Sequence, residues 1–200
     1  MFNRLKAVLT ITFLTIPLIL LPGCGSNNSE VTSVTIGKKG NITSFICEDF
    51  SKEYYDAKEF EDMTLSEVST YNSAYVNQKI NLDKVEYDEE TKTIKVSMTY
   101  EAALDYSHFN NVTLFYGTVQ EALDNGYDLS MNLVDASGNA FNKDDLSNYL
   151  DKHVVITSEK CNIIVPYNIE FMTSGVTLSS KKEAVLSAVT SDIVGLLLSK

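Results

Sequence analysis

The chain has 200 residues, of which 44% are hydrophobic and 22% are charged, and its formal net charge is −11. This composition is that of an ordinary folded protein, and it excludes collagen, low-complexity disorder, a coiled coil and a multi-span membrane protein. The acidic excess also argues against a nucleic-acid partner, because binding to phosphate requires positive charge.

The first 24 residues have the order of parts of a secretory signal. Arg4 and Lys6 form a basic start, residues 7–21 are an uncharged apolar run, and Pro22-Gly23-Cys24 follows. A basic region, an apolar run and a small residue before the cleavage site are the parts of such a signal. The run is shorter than the ~20 residues that a membrane-spanning helix needs, and Pro17 interrupts it.

The end of this run resembles the lipobox of bacterial lipoproteins. Leu21 stands three residues before Cys24 and Gly23 stands one before it, while Pro22 departs from the small or hydroxyl residue that is common between them. The resemblance implies cleavage between Gly23 and Cys24 and a diacylglyceryl group on Cys24. Two acyl chains would then hold the protein at the extracytoplasmic face of the cell membrane. An ordinary secretion signal with a chance cysteine, or an uncleaved anchor, is the alternative.

These features predict three regions. Residues 1–23 are a lipoprotein signal peptide, residues 24–30 are the lipidated cysteine and a flexible tether, and residues 31–200 are a single extracytoplasmic domain. The six tether residues after Cys24 would span only ~13 Å on average, so we expect the domain to stay close to the bilayer. Loss of Arg4 and Lys6 with the leader would change the formal net charge from −11 to −13. Anionic lipids repel such a body, so the lipid anchor has to hold it.

A hairpin and a helix are predicted at the start of the domain. Two glycines bracket two lysines at 37–40, between β-rich runs, and this pattern favours a hairpin. Asp56 with Glu59 resembles a capping box. Apolar residues at helical spacing after it predict a helix over about 57–77.

A second hairpin is predicted next. Apolar residues in 80–87 lead into a polar turn at 88–92, and residues 93–100 then alternate strictly between apolar and polar. Period-two alternation is typical of a strand with one buried face and one wet face.

The remaining elements are predicted to be short. Thr118 with Glu121 begins a helix that Gly126 closes. Residues 185–198 fit either a helix face or strands, and their β-branched residues and Gly195 favour two strands around Thr190–Asp192. The other predicted elements are helices at 102–109 and 142–150 and strands at 112–116, 129–133, 153–157, 162–165 and 169–172.

Together these elements predict an α+β fold. It is expected to consist mainly of antiparallel β hairpins, with one long helix packed on the sheet and two or three short helices. The order of the strands stays open.

Three segments resemble small, uncharacterised lipoproteins of Gram-positive bacteria. Residues 110–128, NNVTLFYGTVQEALDNGYD, look like a recurrent segment of that family, and residues 48–55, EDFSKEYY, are similar to theirs. So is the run 154–156 followed by Val165-Pro166. The resemblance covers most of residues 31–175 and implies an extracytoplasmic lipidated α+β domain with a C-terminal strand. It implies no activity and carries over no catalytic residues.

Cys47 and Cys161 remain when Cys24 is set aside. An extracytoplasmic location permits a disulfide between them. If their strands are neighbours, such a bridge would contribute ~4–5 kcal/mol of stability. Two buried thiols are the alternative.

No catalytic or metal-binding pattern stands out in the sequence. Ser107-His108 with Asp105 nearby is the nearest approach to a nucleophile, a base and an orienting acid, but no Gly-x-Ser-x-Gly elbow accompanies it. Neither His108 nor His153 has a second ligand at zinc spacing. The acidic runs at 88–90 and 144–145 are best interpreted as solvated turns and helix starts. No cofactor and no metal are therefore expected.

These observations favour a non-enzymatic binding or interaction module that is attached to the membrane. Its partner or ligand at the cell surface is not indicated by the sequence. A cell-envelope hydrolase or inhibitor, with acidic pairs or Ser107 and His108 active, and a structural envelope protein are the alternatives. A deep pocket with convergent acids would favour the hydrolase, whereas a flat sheet face would not.

Overall fold

Two β-sheets, of seven and five strands, build the protein in a computed structural model that describes residues 31–129 and 131–200. The predicted signal, the cleavage site at Gly23 and the lipidation site at Cys24 lie outside the described residues. Val31–Lys200 form one compact unit.

The twelve strands and four helices of the described part alternate irregularly along the chain. In chain order they are β1 (Ser33–Ile36), β2 (Ile42–Asp49), α1 (Ala57–Asn72), β3 (Ile80–Asp88), β4 (Thr93–Tyr100), α2 (Ala103–Asn110), β5 (Leu114–Thr118), α3 (Val119–Asp124), β6 (Leu133–Val134), a 3-10 helix (Lys143–Tyr149), β7 (His153–Thr157), β8 (Asn162–Ile164), β9 (Ile169–Thr173), β10 (Thr177–Ser180), β11 (Glu183–Val185) and β12 (Val194–Leu198).

Strand order separates the two sheets clearly. The seven-stranded sheet has the order β10-β11-β8-β1-β2-β4-β3, and the five-stranded sheet has the order β5-β7-β12-β9-β6. The neighbouring strands pair antiparallel except for β1 and β8, which are parallel. The central β1 thus joins the amino-terminal hairpins to the carboxyl-terminal strands.

The predicted fold class is wrong. A long helix on a sheet of hairpins was expected, but the fold is sheet-dominated and mixed, and its four described helices are short. The longest, α1, has 16 residues and packs beside β3 at one edge of one sheet. The physical reason is that the later strands divide between two sheets. Strands β8, β10 and β11 extend the first sheet, whereas β5, β6, β7, β9 and β12 form a second sheet that covers it.

Local predictions near the amino terminus are confirmed. The hairpin turn closes through the Gly37 N–H, which donates to the Asn41 carbonyl at 2.8 Å, and Gly40 takes a φ of +85° that favours glycine. The Asp56 side chain accepts from the Glu59 N–H at 2.8 Å and so caps α1.

Both ends of α3 are also as predicted. Thr118 and Glu121 form a reciprocal capping box. At the other end Gly126 has a φ of +79°, its N–H donates to the Leu123 carbonyl, and the Tyr127 N–H donates to the Ala122 carbonyl. This pair of bonds is the Schellman arrangement, which satisfies carbonyls that the helix leaves without partners.

The main core lies between the two sheets, and we call it the inter-sheet core. It takes buried side chains such as Ile42 and Val96 from the first sheet and Val155 and Leu196 from the second. A smaller helix-side core lies on the other face of the five-stranded sheet, under α3 and the 3-10 helix.

Strand β12 is covered on both faces, which explains why its sequence was ambiguous. Leu196 belongs to the inter-sheet core and Leu197 to the helix-side core, and all five β12 residues are buried. A strand buried on both faces is a continuous apolar run, and its periodicity does not distinguish it from a buried helix.

The long edge strand β3 carries features that discourage pairing with another chain. Its register to β4 shifts between Leu82 and Lys84, and charged side chains at Asp83, Lys84 and Glu86 follow one another at this bulge. Bulges and charges are the usual protection of an exposed sheet edge. None of the helices in residues 31–129 and 131–200 is long and apolar enough to cross a membrane.

Candidate functional site

An open hollow beside edge strand β5 brings together two of the residues singled out from the sequence. Its volume is about 450 Å³, and Ser107, His108, Asn111, Val112, Thr113 and Ser158 line it. Ser107 and His108 both line the hollow, although adjacent positions on a helix point in different directions. Asp105, the third member of the predicted set, is not among the lining residues.

The Ser107 hydroxyl is fully engaged by the backbone of β5. It donates to the Leu114 carbonyl at 2.9 Å and accepts from the Leu114 N–H at 2.8 Å. The outer side of an edge strand has backbone N–H and C=O groups without a neighbouring strand to bind. Ser107 provides the hydrogen-bond partner for both of these groups at Leu114. The geometry therefore gives Ser107 a structural role as the cap of an edge strand.

Asp105 is turned towards α1 instead of the hollow. It is 6% exposed, and its Oδ1 accepts from the Tyr71 hydroxyl at 3.1 Å. Burial, together with the bonds to Tyr75 and Asp105, raises the pKa of Tyr71. The carboxylate thus links the two helices and does not orient an imidazole.

The predicted acidic runs lie on turns and helix starts, as expected. Asp88 Oδ1 accepts from the Glu90 and Thr91 N–H groups at 2.9 and 3.0 Å, and these backbone bonds, led by Thr91, lower the pKa of Asp88. Asp144 and Asp145 begin the 3-10 helix. Residues 31–129 and 131–200 include no group of three or more His, Cys, Asp or Glu side chains that could hold a metal ion.

The fold does not bring Cys47 and Cys161 within bonding distance. Cys47 is on β2 and Cys161 directly precedes β8, and β1 lies between these strands. Strands two positions apart are ~10 Å from each other, beyond the reach of a disulfide. The side chains also point to opposite faces, because Cys161 packs against the inter-sheet core, as does Ile46, the neighbour of Cys47. Both cysteines are thiols in the structure.

The surroundings of Cys161 make it a poor nucleophile. Burial, and secondly the nearby Glu159 carboxylate, raise the pKa of the Cys161 thiol to about 12. Glu159 also accepts from the buried Tyr106 hydroxyl at 2.7 Å. Because the thiolate is the reactive form, a thiol with this pKa is inert near neutral pH.

His153 serves to join the ends of two strands. Its ring stacks on Tyr116 with centroids 5.0 Å apart and approaches Tyr167 at 5.4 Å. Its Nδ1 lies 2.8 Å from the Lys200 carbonyl and must donate to it, because a carbonyl oxygen only accepts. His153 is the first residue of β7, which coincides with the strand predicted at 153–157, and it is half-buried.

A second candidate surface is the side of the seven-stranded sheet that faces away from the inter-sheet core, which we call the outer face. Its side chains alternate with core-facing ones along each strand, and neither core includes them. From β4 to β10 they are Ser97, Thr99, Phe45, Thr43, Ser33, Thr35, Asn162, Ile164, Glu183, Val185 and Thr177.

The centre of the outer face carries no charge. Across β4, β2, β1 and β8, the region between Lys95 and Glu183 presents only hydroxyl, amide, thiol and apolar side chains. This is unusual for a chain with 27 acidic residues. Depletion of charge is a compositional mark of the centre of protein interfaces, and Phe45 and Ile164 add apolar area there.

Comparison of the chain with known protein families, with curated protein sequences and with solved structures found no match.

Sequence reasoning missed the outer face as a unit. The alternation of residues 93–100 predicted that Thr93, Lys95, Ser97 and Thr99 share a wet face, and the structure confirms this. The signal for the neighbouring strands was weaker, and nothing in the sequence placed β8 beside β1. The available signal was that every second residue of several predicted strands is uncharged, and this pattern includes most side chains of the outer face.

Proposed function

We propose that the chain is an extracytoplasmic lipoprotein that is held at the cell membrane through Cys24 and that acts by binding, not by catalysis. The support for the anchor is the signal and lipobox pattern of residues 1–24. The support for binding is the outer face, whose centre between Lys95 and Glu183 carries no charged side chain.

The alternative use of Ser107 and His108 as a hydrolase pair is disfavoured by one geometric fact. The Ser107 hydroxyl already donates its proton to the Leu114 carbonyl and receives the Leu114 N–H. A serine nucleophile needs that proton to be directed at its base. The hollow is also open, and Asp105 is bound to Tyr71 instead of lying beside His108.

The position of Val31 indicates how an anchored domain would stand. Val31 precedes β1, the central strand of the seven, and is 51% exposed. A six-residue tether to Cys24 would keep this end of the sheet within ~13 Å of the lipid on average. The strands would then lead away from the bilayer, and the outer face would point sideways along the membrane.

The anchor is tested with two cysteine variants of the full chain expressed in the native type of cell. Cys24→Ala should lose labelling by a radioactive fatty acid and leave the membrane fraction. Cys47→Ala is the matched control and should keep both. If Cys24→Ala remains labelled and membrane-bound, the anchor is wrong.

The binding role is tested by photo-crosslinking in intact membranes. A photoreactive phenylalanine analogue replaces Phe45 on the outer face or, as the control, Leu65, which is 46% exposed on α1. We expect a discrete crosslinked band from position 45 and none from position 65. The absence of any band from position 45 would overturn the role of the outer face.

A further inference from the structure

We propose that the end of the domain opposite Val31 binds a linear anionic polymer through a group of exposed lysine side chains. We call this group the lysine end, and its members are Lys38, Lys39, Lys181, Lys182 and Lys200. This surface is separate from the outer face. Only the location of the polymer, beyond the membrane surface, rests on the proposed anchor.

Strand pairing brings two lysine-bearing turns to the same end of the seven-stranded sheet. The turn at 37–41 follows β1, joins it to β2 and holds Lys38 and Lys39. Strand β8 is parallel to β1 and antiparallel to β11, so the turn at 181–182, which precedes β11, lies beside the end of β1. Because β1 and β11 are two strands apart, the two turns are ~10 Å from each other.

The aromatic stack around His153 joins the first turn to Lys200. A Cβ at Gly40, in the first turn, would lie 3.6 Å from Tyr116 Cδ1. The ring of His153 stacks on Tyr116 on one side and approaches Tyr167 on the other. The Lys200 Nζ lies 5.8 Å from the centroid of the Tyr167 ring. Lys200 is therefore at the same end of the molecule as the first turn.

The second turn is held by the chain that leaves β8. The Lys182 Nζ donates to the Pro166 carbonyl at 3.0 Å. The Val165 N–H donates to the Lys182 carbonyl at 2.9 Å, and the Ile169 N–H donates to the Lys181 carbonyl at 2.8 Å. These bonds fix the backbone of the turn before any ligand arrives, and preorganisation of this kind lowers the cost of binding.

No nearby carboxylate neutralises the lysine end. Among residues 31–129 and 131–200, none of its five ammonium groups lies in an ion pair. The carboxylate of Glu183, beside the second turn, accepts from the Asn162 side chain at 2.9 Å and is thus directed towards β8. Glu170 is paired with Lys152 at 2.8 Å. The result is a local excess of positive charge on a chain whose formal net charge is −11.

This contrast in charge favours a thin partner. A globular acidic protein would bring its surface against the acidic body around the lysine end, and like charges in contact are unfavourable. A linear polymer can cross the two turns, ~10 Å apart, and touch little else. Lysine ammonium groups act as compact point charges on flexible stems, so they can follow the anionic groups of a flexible chain.

The position of the lysine end favours a polymer over the bilayer as the source of negative charge. From Val31 to the first turn the chain runs through β1, and six residues of extended chain span ~20 Å. In the posture proposed above, the Val31 end is the one nearest the lipid. The Debye length at physiological ionic strength is ~8 Å, so anionic lipid would attract the lysines little.

Binding is tested with the full chain, purified in micelles of a non-ionic detergent, and with fluorescently labelled inorganic polyphosphate as the probe. We expect saturable binding in fluorescence anisotropy that weakens as salt is added. Each contact between a cation and a flexible anionic chain contributes ~0.7 to the slope of log K against log salt, so five contacts give a slope of about −3.5.

Two double variants test the location of the contact. Lys38→Gln with Lys39→Gln removes two charges from the lysine end, and the slope should become shallower by about 1.4. Lys52→Gln with Lys92→Gln is the matched control, because it removes two exposed charges at the opposite end of the sheet and should leave the slope unchanged. Circular dichroism checks that both variants are folded.

Three results would overturn the proposal. The first is no binding of polyphosphate, or an equal loss in the two double variants. The second is competition by vesicles of phosphatidylglycerol that is as strong per phosphate as that of unlabelled polyphosphate and is lost in Lys38→Gln with Lys39→Gln, since the ligand is then a membrane surface. The third is a crosslinked protein of discrete mass from a photoreactive lysine analogue at position 39 in intact membranes.

These outcomes are independent of the tests of the proposed function. Binding in detergent micelles requires neither a bilayer nor the outer face. Failure of the anchor at Cys24, or of the crosslink at position 45, would therefore leave the polyphosphate result unchanged, and loss of polyphosphate binding would leave the anchor and the outer face standing.

Discussion

The structural role of Ser107 gives the sharpest prediction, because the catalytic interpretation of the same residue predicts a different result. Replacing Ser107 with alanine removes one oxygen atom. That oxygen holds both backbone groups of Leu114 at distances of 2.8 and 2.9 Å. The change leaves the His108 side chain untouched.

The size of the effect follows from the two bonds and their exposure. A neutral hydrogen bond contributes ~0.5–1.5 kcal/mol net, and a buried group left without a partner costs ~1–3 kcal/mol. Leu114 as a whole residue is 3% exposed, so little water reaches its backbone groups when the hydroxyl is lost. We therefore expect Ser107→Ala to lower the free energy of unfolding by about 2 kcal/mol, a large share of the 5–15 kcal/mol that is typical of a domain.

The assay is urea unfolding followed by circular dichroism, with thermal unfolding as a second measurement. A loss of 2 kcal/mol corresponds to a decrease in Tm of about 4–8 °C for a domain of this size. Ser66→Ala on the exposed surface of α1 is the matched control, and His108→Ala tests the neighbouring side chain. Both should change the free energy of unfolding by less than about 0.5 kcal/mol.

A stable Ser107→Ala protein would refute the reasoning. If its free energy of unfolding equals that of the Ser66→Ala control, the hydroxyl does not cap the edge strand. If, in addition, Ser107→Ala and His108→Ala both abolish the same hydrolytic activity, the residues form a catalytic pair.

Three further predictions concern packing, capping and pH. A Cβ at Gly195 would overlap the end of the flexible, half-buried Met131 side chain, so Gly195→Ala should cost ~1 kcal/mol in urea unfolding, the low end of the overpacking range, and Met131→Ala should recover part of it in the double variant. Thr118→Ala removes the acceptor for the Glu121 N–H, and we expect a loss of ~1 kcal/mol in the same assay. Burial raises the pKa of the Cys161 thiol from near 9 to about 12, so unfolding favours its ionisation. Stability should therefore be fully present below about pH 9 and fall towards pH 12, less steeply in Cys161→Ala.

The predictions on packing, capping and pH can each be contradicted by a specific result. Additive losses in the Gly195→Ala and Met131→Ala double variant would show that the two sites do not touch. An unchanged unfolding midpoint for Thr118→Ala would show that the Thr118 cap does not contribute to the free energy of unfolding. Equal alkaline slopes for the wild type and Cys161→Ala, or rapid alkylation of Cys161 in the folded protein at pH 8, would show that the thiol is accessible.

Local structure could be predicted from the sequence because its causes are local. The hairpin at Gly37–Gly40, the cap at Asp56 and the box at Thr118 each depend on residues within four positions of one another. Strict alternation similarly identified β4, since one face of a single strand is enough to produce it. None of these signals depends on which strand lies next to which.

The architecture could not be predicted in the same way, because its causes are distant in the sequence. The parallel pairing of β1 with β8 joins residues more than a hundred positions apart, and no turn or cap records it. The β10–β11 hairpin was missed because its four-residue and three-residue strands are too short to show a period. The later strands divide between two sheets, and no local signal records which sheet each strand joins, so the second sheet that covers the first was not predicted.

The candidate site shows the same division. Ser107, His108 and Asp105 are close in sequence, and that closeness suggested joint chemistry. On α2, however, side chains two positions apart point in different directions, so Asp105 reaches Tyr71 while Ser107 reaches Leu114. Proximity along a helix is evidence for a shared face only at spacings of three or four.

The distribution of charge connects the anchor to the outer face. The acidic runs at 88–90 and 144–145 lie on turns and at a helix start, whereas the centre of the outer face has none. The turn at 88–90 joins the ends of β3 and β4 that lie on the same side of the sheet as the amino-terminal end of β1, because β2 pairs antiparallel with both β1 and β4. A short tether would bring this acidic end towards anionic lipid, and the like charges would repel each other. We therefore expect the domain to be held away from the bilayer surface at the full length of the tether. If the chain is anchored as proposed, the uncharged centre of the outer face would then be turned towards other molecules in the same membrane.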